Sequence, residues 1–480
     1  MNIMDKAHKV AKNIGYLSAG RILSGILQIF IVGILARLLG VDGYGKYSFA
    51  IAYVAFFNVL GLFLDTVLIR EISRSRDTAG EFLGSGMIIK TFFCYVGLVL
   101  SLVSTIFFKF PQTTAFLIYL FSLSLLFNII QTPRLIFEAD LQAKYISYIE
   151  LIDKIIIIFL LLAFEKLCKN IFYAATAILL SDFITAIIFL LFSRKFVIPK
   201  FNFNWPLIKK LLHEGFPLAI LAILSVIYLR IDTIMLSFMK GYKAVGYYNG
   251  ASTIIAAVMI FPDAYARSIF PVISAFFHKQ HDRIAFVFVR SLKYLAAAGA
   301  IVAIIGCMFS KPIVTTIMGA SFASASASLS ILSISSGIIF ISALLASTIT
   351  AINQQHMNMW FALVNVGVNI VLNYIFISMF SYTGAAAARL ATEMAGCFLA
   401  LFFLLRYFNI RFNLGWISYF LRLSVAALLT IAVAYSLASV YFPFAILISL
   451  AVYFLFLILL RWFDKEDIII FQSILKGKQL

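Results

Sequence analysis

Long apolar runs, each about twenty residues or more, alternate along this chain with short polar and basic breaks. The runs are continuous. In IIIIFLLLAF, from Ile155 to Phe164, no polar residue recurs at every second place, so the segment reads as helix rather than as a strand of a membrane barrel. A helix needs about 20 mostly apolar residues to cross a bilayer. Fourteen spans are predicted on that basis: 14–37, 46–69, 84–108, 113–136, 146–164, 170–193, 212–239, 246–275, 290–310, 326–351, 357–379, 383–405, 417–440 and 443–462. Hydrocarbon offers no water to backbone N–H and C=O groups, so spans must be helices or closed barrels. The pattern therefore predicts an all-α polytopic membrane protein. The longest connections, 194–211 and 276–289, are basic and too small to be domains.

Composition agrees with this reading. Of 480 residues, 63% are hydrophobic and 12% charged, with a mean hydropathy of +1.04. A soluble domain is about a quarter charged, so too few residues are left here to face water. The net charge of +18 would point to nucleic acid on a soluble chain. Here most Lys and Arg fall in alternate connections, about 23 on one side of the membrane against about 8 on the other. Arg70, Arg74 and Arg76 exemplify the rich side, and Lys46, Lys109 and Lys240 the poor one. That bias orients an even number of spans with both termini cytoplasmic and leaves no reason to expect a nucleic-acid partner. Cys94, Cys168, Cys307 and Cys397 are scattered without a CxxC pair, so neither a disulfide framework nor a zinc site is expected. The polar, basic start MNIMDKAHKVAKN, followed by Arg21 early in the first apolar run, does not read as a cleavable signal peptide.

A repeat organises the spans. Gly40, Gly45, Tyr47 and Ala50, after the first span, recur as Gly241, Gly246, Tyr248 and Ala251 after the seventh, an offset of 201 residues. Near an offset of 211, Ala174, Ala175 and Asp182 in span six fall on Ala385, Ala386 and Glu393 in span twelve. Together these matches predict an N-terminal lobe of six spans (1–200), a C-terminal lobe of six (201–411), and an appended pair with a tail (412–480). Six is even, so the lobes are parallel repeats related by an axis along the membrane normal. Two such lobes facing each other predict a central cavity and alternating access.

The opening NIGYLSAGRILSGILQIFIVGILARLLGVDGYGKYSFA, the following GLFLDTVLIREISRS, and FPDAYARSIFPVISAFF in span eight resemble bacterial polysaccharide-unit flippases. These are Wzx-type proteins of the multidrug/oligosaccharidyl-lipid/polysaccharide (MOP) exporter superfamily, and the resemblance covers essentially the whole chain. It implies transport of an undecaprenyl-diphosphate-linked oligosaccharide, such as an O-antigen unit, across the bacterial inner membrane. It also implies membrane lipids, a polysaccharide polymerase and a chain-length regulator as partners, and Na+ or H+ as coupling ions with no other cofactor.

Ionisable residues inside spans are costly and mark cavities or partners. Glu150 and Lys154, Asp263 and Arg267, and Arg389 and Glu393 stand four apart, a spacing that places each pair on one helix face. Arg21, Lys90, Arg230 and Arg422 have no opposite charge three or four residues away. Lys90 and Arg422 lie near span ends, where snorkelling accounts for them. Arg21, Arg230 and Arg267 remain as the best cavity cations, with Lys154 and Asp263 as neighbours that could open to an anion. Guanidinium forks match phosphate oxygens bidentately and keep their charge, which suits a lipid diphosphate. The resemblance points the same way, because similar flippases have cationic lumens. Asn365, Asn369 and Asn373 share one face of span eleven, and with Asp232 and Thr392 they offer oxygens suited to a hard cation. Interhelical hydrogen bonding is the plainer reading of that set. Asp182 and Glu393 are alternative proton-linked carboxylates. Pro217, Pro262 and Pro271 can kink their helices.

No Walker A motif occurs, so the chain is not expected to use ATP itself, and no catalytic residues are predicted. A peptidoglycan-precursor flippase or a cation-coupled drug antiporter of the same superfamily is the alternative, though an antiporter of cationic drugs favours an acidic cavity. An integral-membrane polysaccharide polymerase needs a large periplasmic loop, which the spacing of the spans leaves no room for.

Overall fold

A computed structural model describes residues 3–140, 142–167, 170–277, 281–410, 414–437, 441–464 and 466–467. Cys168 and the basic tail residues Lys476 and Lys478 lie outside the described residues. Among those described, eleven helices are long and apolar enough to cross a membrane. Two of them, Ala19–Arg74 and Gln355–Tyr407, each carry two spans, separated by non-helical backbone at Gly40 and Ser381. The helix Ala143–Leu167, diluted by Glu150, Asp153 and Lys154, completes the fourteen expected from the sequence.

The spans are α1 (3–39), α2 (41–62), α3 (Ala79–Phe108), α4 (Gln112–Ala139), α5 (Ala143–Leu167), α6 (Ile171–Ser193) and α7 (Trp205–Lys240). They continue as α8 (Tyr242–Phe277), α9 (Ile284–Met308), α10 (Ala325–Ala351), α11 (355–380), α12 (382–407), α13 (Gly415–Ser436) and α14 (Phe442–Leu459). Helix α7 starts seven residues before the predicted edge. Its N-cap, Asn204, accepts a hydrogen bond from the Leu207 N–H at 3.3 Å, with Pro206 in the first turn, an arrangement that stabilises a helix start. It runs unbroken through Pro217. Helix α8 is interrupted at Met259, where Pro262 cannot donate to the carbonyl of Val258.

The chain divides into two compact units. The first holds Met1–Ile260, Thr315–Ala325 and Ala362–Ala388. At the end bearing the basic connections, Leu64, Leu68, Leu83, Ile136 and Leu211 form a buried apolar core joining α3, α4, α7 and the short helix Asp65–Arg74. Around that core Glu71 binds Arg70, Arg74 and Lys210, while Arg70 also pairs with Glu214.

The opposite end of this unit is built on the repeat. Gly40 (φ 64, ψ −178) and Gly241 (φ 81, ψ 178) take nearly the same backbone conformation, one that side-chain-bearing residues rarely adopt. Their helices then meet reciprocally. A Cβ on Gly45 would strike the carbonyl of Tyr242, and a Cβ on Gly246 would strike the carbonyl of Val41. Both contacts map onto each other at the 201-residue offset, so the two copies of the motif pack about a local twofold axis.

The second unit holds Phe261–Val314, Ser326–Phe361 and Arg389–Leu480. In it α9 and α10 approach closely where Gly299 and Gly337 face each other's carbonyls, the small-residue packing typical of membrane helices. Tyr453 donates to the Ala297 carbonyl at 2.8 Å, tying α14 to α9. After α14 the chain is clasped to α9: Arg290 binds Asp464, Glu466 and Asp467, and Lys293 binds Asp467 at 2.5 Å. Burial alone would raise the Asp464 carboxyl. Hydrogen bonds from Arg290, the Asp467 N–H and Tyr419, with the charge of Lys293, instead hold it well below the usual carboxylate range. A depressed acid stabilises above its ordinary pKa of about 4, so the clasp keeps its charges at neutral pH and loosens only in strong acid.

Candidate functional site

Charged side chains inside the spans of the first unit form a connected file. At its basic end, Lys90 and Arg134 both pair with Asp65. Snorkelling does not account for Lys90: the side chain is 2% exposed, and its ammonium is satisfied by a carboxylate from a neighbouring helix that sequence spacing does not register. Removing one member of a buried pair costs about 3 kcal/mol or more when the other is stranded, but Arg134 stays on Asp65 when Lys90 is removed. Lys90→Met is therefore expected to lower thermal stability in detergent by less than that, and Lys90→Met combined with Arg134→Met to lower it markedly further, as read by thermal unfolding of purified protein.

One step further in, α1 and α5 touch. A side chain at Gly20 would collide with Ser147, and this approach brings the charge of the adjacent Arg21 to bear on Glu150, one turn along α5. Lys154 does not pair with Glu150 as its spacing predicts. It binds Asp153 at 3.2 Å, because Asp153 is turned toward α6, where Ser181 and Thr185 donate to its Oδ1 at 2.6 and 3.2 Å. Asp182 lies within electrostatic reach of Asp153 and Lys154. Tyr47 on α2 lies within reach of both Asp182 and Arg230. Ionisable groups of both signs thus run from Asp65 to Arg230 across the short helix Asp65–Arg74 and α1 to α7.

Two members of this file stand out. Arg21 and Arg230 are half-buried, and among the described residues neither forms a salt bridge. In the second unit, Asp263 and Arg267 of α8 are exposed and do not pair with each other across their four-residue spacing. Arg389 and Glu393 do pair, at 3.3 Å. A bare charge facing hydrocarbon is costly, so the accessible sides of Arg21, Arg230, Asp263 and Arg267 belong against water rather than lipid.

A second cluster in the first unit is dry. Asp232 is 1% exposed and accepts hydrogen bonds from Tyr248 at 2.5 Å and from Asn373 Nδ2 at 2.6 Å. The same amide donates to Asn369 Oδ1 at 3.0 Å, and Thr233 donates to Asn249 beside it. The Oδ1 atoms of Asn365 and Asn373 are buried without a hydrogen-bond partner. A carboxylate ringed by amide, hydroxyl and orphan acceptor oxygens is the donor set of a hard cation, so these residues fit Na+. Thr392, fully buried, belongs to the second unit.

Sequence spacing brought Asp232, Asn369 and Asn373 together but missed Tyr248, Tyr47 and Asp153. The repeat carried the signal for the tyrosines. Tyr47 and Tyr248 occupy equivalent positions: Tyr248 donates to Asp232, and Tyr47 lies near Asp182 and Arg230. Asp153 was hidden because residues one apart on a helix do not face each other, which gave no reason to couple it to Lys154.

Away from the basic side, the first unit is sealed. Beside the Gly45 and Gly246 contacts, the Arg37 guanidinium donates to the Thr316 carbonyl at 2.6 Å, and the Met318 side chain lies against Gly250. The rings of Tyr44, Phe322, Tyr247 and Tyr382 form a chain with centroids 5.1 to 6.4 Å apart. The Lys240 ammonium reaches the Ser378 carbonyl at 2.9 Å.

The chain is similar to known membrane proteins. Residues 10–277 match the family model of polysaccharide biosynthesis proteins, and residues 151–457 match that of the lipid II flippase MurJ. No curated protein matches the sequence. Among solved structures, lipid II flippase MurJ in an inward closed conformation aligns with a TM-score of 0.77 at 19% identity, over 92% of this chain and 97% of that one. An inward-facing multidrug resistance MATE transporter of the MOP superfamily aligns at 0.68 and 14% identity, over 82% and 94%. A MOP superfamily transporter from Pyrococcus furiosus, described as reversed in binding-pocket polarity, aligns at 0.60 and 14%, over 83% and 96%. At these identities the structures establish a shared polytopic fold.

Proposed function

The chain belongs to the polysaccharide biosynthesis protein and lipid II flippase MurJ families, each matched over more than half its length, and on that premise we propose that it flips an undecaprenyl-diphosphate-linked oligosaccharide across the bacterial inner membrane. The observation that carries this reading is the set of accessible, unbridged guanidiniums, Arg21, Arg230 and Arg267, inside helices that cross the bilayer. A diphosphate headgroup cannot enter hydrocarbon bare, and these groups would bind its oxygens bidentately while the prenyl tail remains in lipid. Lys154 would border the path, with Asp153 restraining it until an anion competes for it. With the side away from the basic connections packed shut, headgroups would enter from the basic side, which the charge bias of the connections assigns to the cytoplasm.

The second reading, a flippase for a peptidoglycan precursor, is favoured by the MurJ family match. The two substrates share a polyprenyl diphosphate and differ in the sugar. Expression in two bacterial strains, one lacking its oligosaccharide-unit flippase and one depleted of its lipid II flippase, separates them. Restored surface glycan in the first strain alone is expected. Rescue of the second alone would overturn the oligosaccharide assignment.

Transport would be driven by Na+ held at Asp232, Asn369 and Asn373. Asp182 and Glu393 are the carboxylates through which H+ would act instead. Asp232→Asn is expected to abolish the Na+ dependence of transport while leaving its pH dependence in place. Unchanged Na+ dependence in that variant would reassign coupling to the proton-linked carboxylates.

A further inference from the structure

The second unit contains a cavity of about 370 Å³ between α9, α13 and the segment after α14. Its floor is buried: Trp462 is 2% exposed, and Lys293 is held by Asp467 with its ammonium 4.2 and 4.5 Å from the Tyr419 and Trp462 ring centroids. Its mouth is open, with Phe286, Phe420 and Glu466 all exposed. Apolar walls, tryptophan and tyrosine rings and basic groups in one place are the signature of headgroup depth in a bilayer. The volume lies in the range of built small-molecule sites.

The charges decide what fits. Arg290 and Lys293 are already satisfied by Asp464 and Asp467, and among the described residues the cluster carries one carboxylate more than its cations. That carboxylate, Glu466, is 61% exposed and binds the outer edge of Arg290, a rim ion pair worth only about 0–1 kcal/mol. A phosphate can displace it on the guanidinium at little cost. An anionic lipid would then leave Glu466 facing a phosphate. A lipid bearing a primary ammonium on that phosphate instead gives Glu466 a new partner, so one ion pair exchanges for two and the cluster's excess of one negative charge does not grow, whereas an anionic lipid would double it.

We propose that this cavity is a binding site for a zwitterionic aminophospholipid, with one acyl chain against Trp462 and Trp416, the phosphate on Arg290 and the ammonium on Glu466. The site uses none of Arg21, Arg230 and Arg267 and does not rest on the transport reading.

The test is tryptophan quenching of the purified full chain by lipids brominated on the acyl chain, with Trp205 and Trp360 replaced by Phe so that Trp416 and Trp462 report. Brominated phosphatidylethanolamine is expected to quench at several-fold lower mole fraction than brominated phosphatidylglycerol. Glu466→Gln, at an exposed position where folding is not at stake, should erase that preference. Ala285→Phe, which fills the cavity and leaves the charges alone, should weaken quenching by both lipids. Equal or stronger quenching by phosphatidylglycerol overturns the proposal, as does a preference that survives Glu466→Gln or quenching indifferent to Ala285→Phe.

Discussion

Replacing Arg21 with Ala is expected to abolish surface glycan export while protein abundance in the membrane stays normal. Arg21 sits early in α1, half-buried, with only the nearby charge of Glu150 to answer it. It makes no salt bridge among the described residues, so its loss removes no structural pair and folding should survive. What disappears is a fork for phosphate oxygens. A hydrogen bond to a charged group contributes about 1.5–3 kcal/mol, or roughly 10- to 100-fold in binding, before the unanswered charge of the half-buried Glu150 adds its repulsion. Arg21→Lys keeps the charge without the bidentate geometry and should restore export in part. Arg267→Ala should reproduce the loss. Full glycan display by both alanine variants would remove the cationic path from the mechanism.

Gly45→Leu is expected to be equally severe for a different reason. The Gly45 position meets a backbone carbonyl, not a flexible side chain, so a larger residue forces the starts of α2 and α8 apart. Gly246→Leu acts on the mirrored contact and should give the same phenotype. With the seal away from the basic side held open, the transporter cannot present its site to the cytoplasm, and export should fall to background. The aromatic chain behind the seal should open too. In a background without the native cysteines, a Tyr247→Cys reporter should be slow to react with a membrane-impermeant maleimide and several-fold faster once Gly45→Leu is added. Normal export by Gly45→Leu, with labelling unchanged, would show that the glycine contact is packing and not a gate.

These outcomes depend on features of unequal visibility in the sequence. Span number was legible because apolar length is local, and the helix breaks at Gly40 and Gly241 were legible because the repeat marks them. The reciprocal packing of Gly45 and Gly246 was not, since a motif does not say what its glycines touch. Intramembrane pairing was harder still. Spacing of four along a helix anticipated Arg389 with Glu393, but it misdirected Lys154 and left Lys90 without a partner. Asp153 and Asp65 are supplied by packing between helices, where the energy of satisfying a buried charge outweighs the few tenths of a kcal/mol available to a pair on one helix face. Asp232, Asn369 and Asn373 converged because each was already the polar residue out of place in an apolar run. The clasp of Arg290 and Lys293 on residues 464–467 had no local signature, for its two halves are about 175 residues apart.

The most direct measurement is translocation itself. The purified protein is reconstituted in liposomes with a fluorescent undecaprenyl-diphosphate-linked oligosaccharide, and the fraction protected from an external reductant is followed over time. A flippase with a cationic path gives protection that grows faster than in empty liposomes, and Arg21→Ala falls back to the empty rate. Wild-type liposomes no faster than empty ones, under Na+ and proton gradients of either sign, would contradict lipid-linked oligosaccharide flipping by this chain.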